Sequence, residues 1–255
     1  MNLELTNKTI IVAGGLGGIG IETVKTFLKE GAKVIILTQG LSENNLNTSS
    51  DLCEIIKTSY SDKSLLKKDL LPLFQKQKPE GLITFVGSGR GEKSIFTNEN
   101  ETKRIWNINY FYNKNIAEVF VDLMQKFNSE KSNTTNFITF TSSIVSKMYV
   151  GCPTEYSSSK AALERLTKDL SWKLAPNYRV NCISPGNIYF EGGTWDKIIK
   201  EDKSFVEKIL EEKVPLKRFG YANEIADFSV FLSSPKASFF NGACITIDGG
   251  QSIAL

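Results

Sequence analysis

"TIIVAGGLGGIGIETVKTFLKE", residues 9–30, decides how the rest of this chain reads. The apolar run at 9–14 is short and rich in β-branched residues, as a strand should be. "AGGLGGIG" from Ala13 to Gly20 follows at once and leads into the amphipathic pattern "IETVKTFLKE". Glycines at such a point allow a sharp turn. They also let backbone amides and a helix N-terminus approach a pyrophosphate with no Cβ in the way. The spacing Gly14, Gly18, Gly20 is G-x-x-x-G-x-G, not the G-x-G-x-x-G of the standard dinucleotide fingerprint.

Further strand-like runs follow at 33–38, 82–87, 136–142, 178–184 and 243–248, with a weaker one at 53–58 and helix-like stretches between them. Continuous apolar runs, without alternation, indicate strands buried on both faces, and intervening helices indicate right-handed crossovers. The expected fold is α/β, a Rossmann-type doubly wound parallel sheet of about seven strands with helices on both faces. No Pro/Ser-rich linker or internal repeat divides the chain, so residues 1–255 are expected to form a single domain. The polar stretches 39–50 and 128–136 read as solvated surface loops.

Composition narrows the function classes. Lys+Arg is 31 against Asp+Glu 28, a formal charge of +3, and the basic residues are scattered, so nucleic acid is not an expected partner. Cys53, Cys152, Cys182 and Cys244 lie far apart with no CxxC pair, and the chain has 0 histidines, so no metal site is expected and the cysteines read as small buried apolar residues. The first residues lack a basic segment followed by a long apolar one, and no window approaches a membrane span, so the expectation is a cytoplasmic protein with no membrane partner.

Without histidine, proton transfer near neutrality needs another pair. "YSSSK" at 156–160 supplies Tyr156 and Lys160, four residues apart and therefore on one helical face. A phenol titrates near 10, but an ammonium about 4 Å away is worth roughly 4 kcal/mol at an effective dielectric near 20, or up to about three pK units before desolvation. Lys160 is therefore expected to draw Tyr156 towards neutrality, where acid–base catalysis works best.

Taken in order, the first glycine turn with Ile19, Asn109 in "WNIN", Ser143 in "TSSI", Tyr156 with Lys160, "SPG" at 184–186 and the terminal "ACITIDGG" are similar to the motifs of the classical short-chain dehydrogenase/reductase family, over almost the whole chain. The resemblance implies an NAD(P)-dependent oxidoreductase that interconverts a carbonyl and a secondary alcohol. It implies that Tyr156 exchanges the proton, that Ser143 bonds the same substrate oxygen, that Lys160 also holds the nicotinamide ribose and that Asn109 anchors a relay water. Ser142 and Asn107 stand close enough in sequence to be alternatives to Ser143 and Asn109.

The same resemblance places the dinucleotide against Gly14, Leu16, Gly18, Ile19, Gly20, Thr38, Gln39, Ser59, Gly87, Pro185, Gly186 and Ile188, together with Tyr156 and Lys160. Several cofactor-side positions depart from the family pattern: Ala13 for Thr, "TFVG" for NNAG at 84–87, Ser59 for Asp and Phe190 for Thr. Thr38 and Gln39 supply neither the acid that favours NAD nor the arginine that favours NADP, and loss of the acid's repulsion leans the choice to NADP. Residues 187–213 correspond to a substrate lid, with Gly192 and Gly193 as a hinge and Phe190 with Trp195 as an apolar wall. Arg90 is a candidate for an anionic substrate group. A homotetramer or homodimer is implied. The alternative is a reductase-fold scaffold with an impaired cofactor site.

Overall fold

The computed structural model describes residues 1–40, 51–89, 91, 95–127 and 136–253. Most of the two stretches read as loops, 41–50 and 128–135, and Arg90 lie outside the described residues.

The strands are β1 (Thr9–Ala13), β2 (Lys33–Thr38), β3 (Cys53–Lys57), β4 (Gly81–Thr84), β5 (Asn136–Thr141), β6 (Tyr178–Pro185), β7 (Ile188–Tyr189), β8 (Gly220–Tyr221) and β9 (Cys244–Ile247). The helices are α1 (Gly18–Lys29), α2 (Lys63–Lys76), α3 (Glu99–Trp106), α4 (Tyr112–Phe127), α5 (Thr154–Lys173), α6 (Thr194–Glu201), α7 (Lys203–Lys213) and α8 (Ala222–Ser233). Among the described residues, seven strands form one parallel sheet in the order β3-β2-β1-β4-β5-β6-β9, and β7 pairs with β8. The order reverses between β1 and β4, which opens a crevice at the carboxyl ends of those strands.

Successive residues of a strand point to opposite faces, and here both faces are covered. Ile11, Ile35, Leu82, Ile138 and Val180 meet Leu66, Leu70, Phe120 and Leu163 from α2, α4 and α5. Ile10, Val12, Val34, Ile36 and Ile83 meet Val24 and Phe27 of α1 and Val230 of α8. This is why the strands are apolar throughout. On α1 the buried positions Gly20, Thr23, Val24 and Phe27 follow one helical stripe.

Helix starts are set locally. Asp62 accepts from the amides of Ser64 and Leu65 at 2.9 and 3.0 Å, Asn98 from that of Glu101 at 3.0 Å, and Asp202 from that of Phe205 at 3.0 Å. Near the start of β6, Arg179 is buried and donates to the carbonyls of Leu232, Ala237, Phe240 and Ser234 at 3.0–3.4 Å, which ties β6 to the turn after α8. Burial lowers its pKa from the usual arginine value. The cysteine expectation needs correction: Cys182 is buried, but Cys53, Cys152 and Cys244 are only partly so, because β3 and β9 are sheet edges and Cys152 lies in the connection just before α5.

Candidate active site

The carboxyl ends of β4 and β5 and the N-terminal half of α5 converge on one small volume. Tyr156 and Lys160 lie one turn apart on α5. Ser143 stands just beyond β5, at the start of a short 3-10 turn (Ile144–Ser146) whose Val145 amide its hydroxyl accepts at 3.4 Å. That hydroxyl also faces the Tyr156 phenol and favours its ionised form. Its neighbour Ser142 is turned away, donating to the Lys160 carbonyl at 3.2 Å. Of the two serines, Ser143 is the one in the site.

The Lys160 ammonium donates to the Thr141 carbonyl at 2.8 Å. A Cβ on Gly87 would come within 2.8 Å of Lys160 Nζ and 2.9 Å of Asn109 Oδ1, so the bare glycine is what lets the loop after β4, the lysine tip and Asn109 meet. Asn109 is buried in a π-helical turn (Asn107–Phe111) between α3 and α4, whereas Asn107 is exposed. Its Oδ1 accepts from the Ser88 amide at 2.9 Å and its Nδ2 donates to the carbonyls of Ser88 and Ile105 at 3.0 Å. The side chain thereby braces the Gly87–Gly89 loop.

The electrostatics correct the expected Tyr–Lys coupling. Burial raises the Tyr156 pKa to about 12, and the hydroxyl of Ser143 is what opposes the rise. Lys160 makes no contribution there; burial brings its own pKa down to about 8. The cause is desolvation, which penalises the phenolate and the ammonium alike.

On the cofactor side, Gly14 adopts φ +77° and Gly17 opens α1 with no capping side chain. The first amides of this 12-residue helix are thus left to a ligand, with glycine at Gly18 and Gly20. An uncapped N-terminus floored by glycine has the chemistry to hold a pyrophosphate. The Thr38 hydroxyl turns back to the Gly40 carbonyl at 2.6 Å, Gln39 is exposed, and Ser59 pairs with Ser61 at 3.0 Å. Leu16 packs towards the α1 side of the sheet, and Ile19 joins the cluster around Ile183 and Ile225. Pro185 is buried, Gly186 donates to the Ile247 carbonyl at 2.9 Å, and Ile188 is buried beside Gly220.

Phe190 is not where a lid wall would stand. Its ring lies over Gly18, with three carbons 2.5–2.6 Å from the position a Cβ would take there, and folds back on Gly193. It packs with the same apolar cluster as Ile19, an attraction that a threonine would lack. Trp195 instead stacks on Phe219, ring centres 5.2 Å apart.

A family profile described as enoyl-(acyl carrier protein) reductase matches residues 14–252, nearly the full chain. The chain belongs to the short-chain dehydrogenase/reductase family. This short-chain dehydrogenase/reductase is 29% identical to an isoepoxydon dehydrogenase of Penicillium expansum over 257 residues, covering 96% of this chain and 95% of the other. It superposes with a TM-score of 0.86 on a short-chain dehydrogenase of Leptospira borgpetersenii with bound NAD+, at 25% identity and covering 99% and 95% of the two chains. An L-sorbose reductase of Gluconobacter frateurii complexed with NADPH and L-sorbose shares the fold, with a TM-score of 0.86, 22% identity and 100% of both chains covered. The protein is an oxidoreductase of the family's hydride-transfer type, using a nicotinamide dinucleotide.

Two residues beside this site escape sequence reasoning. Gly89 faces the Tyr156 ring, its would-be Cβ 3.2 Å from Cε1, and Asn113 donates to the carbonyls of Val86 and Asn109 at 3.0 and 3.1 Å. The second glycine of "GSG" signals the first; Asn113 lies one turn beyond Asn109 on a helix face that is otherwise apolar.

Proposed function

We propose that this enzyme reduces a carbonyl of a small molecule to a secondary alcohol, with Tyr156 as the proton donor. The observation that carries the reading is geometric: the Tyr156 phenol faces the Ser143 hydroxyl at the carboxyl end of β5, one helical turn from Lys160 on α5. Ser143 orients the substrate oxygen beside it. Lys160, with its pKa near 8, resupplies the proton, and Asn109 holds the relay water through the loop it braces.

The dinucleotide supplies the hydride when bound. The glycine turn, the end of β2 and the Pro185–Gly186 segment hold it, and the lack of an acid at Thr38 and Gln39 favours NADP. Residues 187–213, carrying α6 and α7, form the lid over the substrate. Exposed Trp172 and Phe239, at 86% and 102% exposure, support assembly into a homodimer or homotetramer. A second reading, a scaffold with a weakened cofactor site, is favoured by the placement of Phe190 over Gly18.

Tyr156→Phe tests the assignment against a panel of carbonyls and alcohols with both coenzymes. Turnover should fall about 10³-fold or more while coenzyme affinity holds within about threefold. Retained turnover in the variant would remove Tyr156 as the acid. A wild-type protein without turnover on any substrate would favour the scaffold.

A further inference from the structure

We infer that Phe190 sets the affinity of the dinucleotide site: its ring covers the Gly18 turn and has to swing off that turn before a pyrophosphate can bind. The inference rests on the assignment of the glycine turn to the dinucleotide.

Three ring carbons, Cδ2, Cε2 and Cζ, lie 2.5–2.6 Å from the place of a Cβ on Gly18, so the ring is in contact with the turn itself. Gly18 is the first residue of α1, preceded by an uncapped Gly17. A phosphate oxygen bonding these amides must approach to about 2.7–2.9 Å. A carbon face in contact fills the space out to about 3.5–4.0 Å and accepts no hydrogen bond. Ring and pyrophosphate therefore compete for one place.

The ring has a seat and a way out. Its seat is apolar, the buried cluster that includes Ile183, Ile188, Ala222 and Ile225. The three residues after it form a turn, with the Gly193 amide donating to the Phe190 carbonyl at 3.1 Å and the Gly192 amide to Asp196 at 2.9 Å, so the ring leaves by rotation of its own side chain. Glu191 is exposed, Gly192 sits at φ +72° with nothing within 4 Å of its would-be Cβ, and Gly193 begins α6 without a capping side chain. β7, just before the ring, is only 2 residues long, so re-aiming Phe190 need not disturb the central sheet.

When only a fraction of molecules have the ring off the turn, the apparent dissociation constant rises by the inverse of that fraction. Small replacements should therefore bind dinucleotide more tightly. Calorimetric titration of wild type, Phe190→Ala and Phe190→Thr with NADH, NADPH and ADP-ribose is the test. The expected result is binding about tenfold tighter or better in both variants. Equal or weaker binding in variants that melt near the wild-type temperature would overturn the inference and leave the cofactor assignment standing. No binding of any of the three ligands to any of the proteins at millimolar concentration would overturn both. Should the small variants fold poorly, Phe190→Trp gives a second readout. Its emission should shift to the red on saturation with ADP-ribose as the indole leaves its apolar seat, and unchanged emission in a protein that binds ADP-ribose would also overturn the inference.

Discussion

Lys160→Met, followed by urea unfolding across the alkaline range, isolates the energetic cost of the buried ammonium without needing a substrate. The side chain is 4% exposed and its pKa is lowered from 10.5 to about 8, chiefly by burial. Well below pH 8, folded and unfolded chains both carry the proton, and the folded one bears the cost of a charge withdrawn from water. Between about 8 and 10.5 the folded chain releases the proton while the unfolded chain keeps it. The unfolded state then binds more protons, so stability rises with pH. The limiting gain is about 3 kcal/mol, of which about 2 kcal/mol develops between about pH 7 and about pH 9.5. Tyr156 adds little in that window, since it keeps its proton up to about 12 in the folded chain and to about 10 in the unfolded one. Methionine fills a similar volume and carries no charge. The difference in unfolding free energy, wild type minus variant, should be negative or near zero at neutral pH and climb by about 2 kcal/mol across the window. Most other titrations cancel in that difference. A difference that stays flat within about 0.5 kcal/mol, or that falls, would refute the reasoning.

Gly87→Ala brings a methyl to 2.8 Å from Lys160 Nζ and 2.9 Å from Asn109 Oδ1, and should cost about 100-fold in turnover with only a small change in melting temperature, checked by steady-state kinetics beside a thermal scan. Ser143→Ala removes the hydroxyl that favours the ionised phenol, so turnover should fall about 10²-fold or more while the dissociation constant of the coenzyme stays near wild type. Arg179→Met strips the carbonyls of Leu232, Ser234, Ala237 and Phe240 of their shared donor; the loss should be about 3 kcal/mol or more, a fall in melting temperature of roughly 6–12 °C, with Arg179→Lys intermediate.

The runs read as strands become strands because burial on both sheet faces leaves its mark in composition, and even the weak run at Cys53 pairs in register with β2. The glycine turn is equally plain, since its position between β1 and α1 follows from the order of residues. What stays hidden depends on direction and depth. Nothing in "NIYFEGG" says which way the ring of Phe190 turns, and the strongest nearby attraction is carbon surface contributed by α8 and β9, far along the chain. For Tyr156 and Lys160 the sequence suggests a charge pair at contact distance, but the desolvation that dominates is set by α5 lying against β5, with Lys160 reaching the Thr141 carbonyl. Asn109 is visible as a polar residue; its three bonds to the backbone depend on a widened turn for which no residue pattern is diagnostic.

That widened turn makes the residue count of the helical rod a constraint in its own right. Each α-helical residue rotates the chain by about 100°, and the segment Asn107–Phe111 carries a surplus within which Asn109 points inward, with Ile105 inward ahead of it and Asn113 and Ile116 inward behind it. Deleting one residue there would close the turn to an ordinary helix with both flanks still facing the core, so the loss would fall on Asn109 and on the loop it braces. Shortening this stretch by a single position should therefore harm the site more than the core.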